Sequence, residues 1–69
     1  MVEVFKTNVT CTEKAADLLL KLKDIFPDAF INFDLEDCDK ILRLEASTVC
    51  VEKVITLLNA QGFFCELLI

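Results

Sequence analysis

The chain alternates between two hydrophobic periods, and the switches between them mark its elements. Val2 to Val9 is rich in β-branched residues and predicts a strand. A helix start follows at Thr10-Cys11-Thr12-Glu13, where Thr10 as N-cap and Glu13 three residues on have the spacing of a capping box. Ala15, Leu18, Leu19, Leu22, Ile25 and Phe26 then recur at three- and four-residue steps, the stripe of an amphipathic helix that Pro27-Asp28 stops. Period two returns over Ala29 to Leu35, with Ile31, Phe33 and Leu35 on one face and Phe30, Asn32 and Asp34 on the other. Glu36-Asp37-Cys38-Asp39 is turn-like, and Lys40 to Ala46 alternates again with Leu42, Leu44 and Ala46 together. Ser47-Thr48 is expected to open a second helix with Val51, Val54, Ile55 and Leu58 inward. Asn59 to Gly62 closes it, with Gly62 as the left-handed residue after the cap, and Phe63 to Leu68 is the last strand.

The resulting order is βαββαβ. It predicts an α+β, ferredoxin-like sandwich, a four-stranded antiparallel sheet with two helices on one face, as a single domain over residues 1–69. In that plan the turns holding Cys11, Cys38 and Gln61-Gly62 share one end, Cys50 starts the second helix at the other, and Cys65 faces the helices. The outer sheet face has no covering layer. Reading one phase for each strand, it carries Phe5, Phe30, Ile41, Phe64 and Leu68, large apolar side chains where water is expected. If contiguous they form an association surface for a second copy or a protein partner. A one-residue slip in phase exchanges the two faces of any strand. Leu20, off the inner stripe of the first helix, is a weaker candidate of the same kind.

Size and charge narrow the function classes. A chain of 69 residues buries roughly 60% of its unfolded surface, enough for one two-layer core and little enclosed cavity. Twelve acidic against seven basic residues give a net charge of −5, which favours neither nucleic acid nor an anionic membrane surface. No unbroken apolar run is longer than the three residues of Leu18 to Leu20, and the start, Met1-Val2-Glu3, has no secretory pattern. A cytoplasmic protein with free thiols is expected. Histidine is absent, which removes imidazole bases and triads. The expectation is therefore a non-enzyme, a thiol redox role being the one enzymatic alternative.

With a cysteine at the first turn of the first helix, the chain resembles the heavy-metal-associated domain of copper chaperones and metal-transporting ATPases. Asn8-Val9-Thr10-Cys11-Thr12-Glu13-Lys14 lies over that family's Gly-Met-x-Cys-x-x-Cys loop. Phe26-Pro27-Asp28-Ala29 lies over its Pro-Gly-Val turn, and Gln61-Gly62-Phe63 over its glycine–aromatic pair before the last strand. The resemblance implies a soft-metal site for Cu(I) or Zn, of which Cys11 alone carries over. Lys14 stands at the second ligand position, Val9 at the methionine and Asn8 at the glycine.

The chemistry of Cys11 has a functional and a plainer reading. A thiol at a helix N-terminus, with Lys14 one turn on, has a local field that favours thiolate. It binds metal firmly only when another ligand joins it, such as Cys11 of a second chain. Cys38 lies among Asp34, Glu36, Asp37 and Asp39, oxygen donors for a hard cation, whose plainer reading is a solvated turn. A shared Cys11–Cys38 site requires the two loops to bend together. Two functions follow: an association module whose CxxC pair is lost, or a weak soft-metal or thiol-based module using Cys11.

Overall fold

The computed structural model describes residues 1–68. Its elements run β1 (Val2–Thr7), α1 (Thr12–Ile25), β2 (Phe30–Asp34), β3 (Ile41–Glu45), α2 (Val51–Ala60) and β4 (Cys65–Leu68). The strands form one open sheet in the order β2-β3-β1-β4, with every neighbouring pair antiparallel. This is the ferredoxin-like α+β fold expected from the pattern. Each helix joins two strands that have a third strand between them, and right-handed crossovers put both helices on the same face.

The core lies between that face and the helices. Phe5 from β1, Leu42 and Leu44 from β3, and Cys65 from β4 pack with Ala15, Leu18 and Leu22 of α1 and Val54 and Leu58 of α2. Ile31, Phe33, Leu35 and Leu67 complete the layer at its edges. Burying each large apolar side chain contributes about 1.5–3 kcal/mol.

Two positions expected on the outer face are placed differently. Phe5 is fully buried on the inner face, because the register sets it opposite Leu42 and Leu67. The outward residues of β1 are therefore Val2, Val4 and Lys6, one residue out of phase with the expectation. Ile41 does point outward, opposite Lys6 and Asp34, yet it is only 8% exposed. It has a cross-strand partner on each side, and the ammonium of one of them, Lys6, reaches Asp39 at 3.6 Å.

Both helices start later than their sequence signals. Cys11, not Thr10, is the N-cap of α1, and no side chain caps it. Val9 explains the delay: it is fully buried, and its N–H donates to the Thr7 hydroxyl at 3.3 Å. Burying a valine outweighs a cap worth about 1 kcal/mol. α2 begins after Cys50 rather than at Ser47-Thr48. At the other end of α1, Phe26 caps the helix and packs on the core, leaving Ile25 exposed.

The end of α2 matches its signal closely. Gly62 has φ +89°, its N–H donates to Asn59 C=O at 3.0 Å, and Phe63 N–H donates to Leu58 C=O at 2.9 Å. These two bonds are the Schellman motif, and Phe63 folds onto the core beside Leu58.

Candidate functional site

Two regions hold the residues singled out by sequence: the loop end beyond β1, and the outer face of the sheet. The loop end is tightly tied. Thr7, 4% exposed, donates its N–H to Asp39 C=O at 3.1 Å and its hydroxyl to Lys40 C=O. Across the same end, Asn8 Oδ1 accepts the N–H of Phe64 at 2.8 Å.

The β2–β3 hairpin is organised by its own polar groups. Asp37 Oδ1 accepts Asp39 N–H at 2.9 Å, and Lys40 N–H donates to Asp37 C=O at 3.0 Å. Lys40 takes a left-handed φ of +48°, and its ammonium donates to Leu35 C=O at 2.9 Å. The ligand-capable atoms of Asp37, Cys38 and Asp39 lie within 4.8 Å of one another. One carboxylate already caps the turn and another pairs with Lys6, so the group is accounted for as a turn.

Cys11 is exposed at the N-cap of α1 and is not a member of that group. Lys14, also exposed, offers an ammonium where a second thiolate would be needed. The donor set does not fit a two-thiolate soft-metal site. Cys50 is the exposed N-cap of α2. It lies at the opposite end, where Ala46 N–H bonds Met1 C=O. Cys65 is buried, and burial pushes its thiol up from 9.0 to about 11. The four cysteines form no disulfide.

The outer face is built from rows set by the strand register. Phe30, Glu45 and Val2 lie side by side, then Asn32, Arg43, Val4 and Leu68, then Asp34, Ile41, Lys6 and Glu66. Val4 and Leu68 are thus direct cross-strand partners, with Val2 next on the same face of β1 and Phe30 one strand further across Glu45. Phe30 is 77% exposed, Val2 51%, Phe64 47% and Leu68 38%. The sequence pattern places Phe30 and Leu68 here and misses Val2 and Val4, while Phe64 is exposed just before β4 and outside these rows. The usable signal was size: Phe5 is the bulkiest residue of β1, and the phase that buries it turns both valines outward.

No family model, curated protein or solved structure matches this chain. The functional reading therefore rests on its own geometry. Among the described residues no helix is long and apolar enough to cross a membrane.

Proposed function

We propose that this domain is a non-catalytic association module that binds a second polypeptide, its own copy or another protein, through the open face of its sheet. The observation that carries the reading is the apolar cluster of exposed Val2 and Leu68 with half-buried Val4, extended by exposed Phe30. Exposed apolar neighbours on a rigid sheet lose unfavourable hydration when a partner covers them. The charged residues between them, Arg43 and Glu45 of β3, carry opposite signs and can pair with a matching surface.

The same reading places the domain in a reducing compartment such as the cytoplasm, which its four unpaired cysteines support. It also treats the first loop as a heavy-metal-associated loop without its metal function, supported by Lys14 at the second ligand position.

Light scattering over a concentration series tests it. The average mass of the native chain is expected to rise above 7.8 kDa with concentration, and Leu68→Glu or Phe64→Glu is expected to lower it. Equal masses for native and variant chains at every concentration would overturn self-association through this face.

A further inference from the structure

We propose that the β2 edge and the flank of α1 beside it form a second association surface, whose occupant is another copy of this chain joined about a two-fold axis. The inference rests on the reading of the domain as an association module, and adds a partner and a place.

β2 is an edge strand, with β3 on one side only. Alternate residues of an antiparallel strand turn their N–H and C=O groups away from the neighbour, so this edge offers unpaired backbone groups. Three devices that commonly blunt an edge are absent from β2: Phe30-Ile31-Asn32-Phe33-Asp34 contains neither proline nor lysine, and its pairing to β3 runs without a bulge. Beside the edge, two shallow hollows share Ala16 and Leu19 and so form one groove along α1. Leu20, 71% exposed, lies in its lower half with Ile31.

The groove is self-complementary in charge. Lys23 sits at its lower end, donating its ammonium to Ala29 C=O at the level where β2 begins. Glu36 sits at its upper end and supplies its negative charge, beside Asp34, whose phase belongs to the outer face. Two β2 strands paired antiparallel with Asn32 on the axis set Ile31 opposite Phe33 of the second copy. The level of Ala29 then faces Leu35 and Glu36 of that copy. Each Lys23 thereby meets the acidic end of the other groove, twice per dimer, while Leu19 and Leu20 of the two helices face each other near the axis. The pairing is isologous and closes as a dimer, joining two four-stranded sheets into one of eight.

Sedimentation equilibrium in the Leu68→Glu background isolates this surface from the outer face. The Leu68→Glu chain is expected to remain a dimer at millimolar concentration, and adding Leu20→Asp to weaken it about a hundredfold. Adding Lys23→Glu is expected to weaken it about tenfold, and Lys23→Glu with Glu36→Lys to restore it. Leu20, Lys23 and Glu36 are exposed, and circular dichroism checks that each variant stays folded. A monomeric Leu68→Glu chain overturns the edge dimer and leaves the outer-face reading standing. A dimer indifferent to Leu20→Asp, or a charge exchange that fails to restore it, overturns it equally. A native mass unchanged by Leu68→Glu but collapsed by Leu20→Asp supports the edge and sinks the outer face.

Discussion

Single residues decide which chemistry survives in this chain. Cys11 is exposed at the start of α1, where a metal-binding loop would put its first ligand, but its neighbour one turn on is Lys14. An ammonium must lose a proton before it can coordinate, and while charged it repels the cation. A Cu(I) titration against a chromophoric chelator, run anaerobically on reduced protein, is expected to give superimposable curves for native and Cys11→Ser chains. Uptake lost in the variant would restore the metal reading. Cys65 is a different kind of thiol, one whose protonation is tied to folding. Unfolded, it ionises near 9.0; folded, burial holds it protonated to about 11. Ionisation between those values favours the unfolded chain, so its contribution to stability is complete below pH 9 and declines as the pH rises to 11, by about 2–3 kcal/mol. Urea unfolding at the two limits is expected to show this loss in the native chain and a smaller one in Cys65→Ala. Equal losses would show that other groups cause it.

Elements were legible where one contribution dominated. The stripe of α1, the alternation of β2 and β3 and the glycine after α2 each admit one reading, and the fold follows from their order. The boundaries and phases that went astray were contests between terms of similar size. Thr10-x-x-Glu13 is a sound capping signal, yet burying Val9 holds the chain extended for one residue more. In β1, Val2, Val4 and Lys6 against Glu3, Phe5 and Thr7 gives each face apolar and polar members, so alternation alone cannot choose. The buried Thr7 hydroxyl finds an acceptor for its proton because the β2–β3 hairpin folds back onto it, a contact 33 residues away in sequence that no local pattern announces. The outer face carries the error at Phe5, while Phe30 and Leu68 point outward because β2 and β4 follow the expected phase; Phe64 stands exposed just before β4, outside the paired rows. At Gly62, where the Schellman turn holds φ at +89° and a Cβ would meet nothing within 4 Å, Gly62→Ala incurs conformational strain and no clash. A destabilisation of about 1 kcal/mol is expected in urea unfolding, with the mass distribution unchanged. A neutral substitution would mean that the turn relaxes at little cost.

At the scale of the whole molecule, a 7.8 kDa chain with two layers has one sheet face left over. Larger domains cover such a face with a further layer. Here its lower rows hold Val2, Val4, Leu68 and Phe30, and the adjoining edge strand has no proline, lysine or bulge. The acidic net charge of −5 opposes association at long range, so opposite-sign contacts such as Arg43 with Glu45, and Lys23 with Glu36, have to lie within the contact itself. Association is therefore expected to depend on shape and apolar area first, with charge setting register. The most direct test compares the mass of native and Leu68→Glu chains by light scattering at the same millimolar concentration. A native mass above that of the variant, converging on 7.8 kDa as both are diluted, is the expected result. Identical masses throughout the series would contradict the claim that two copies of this domain associate through the open sheet face.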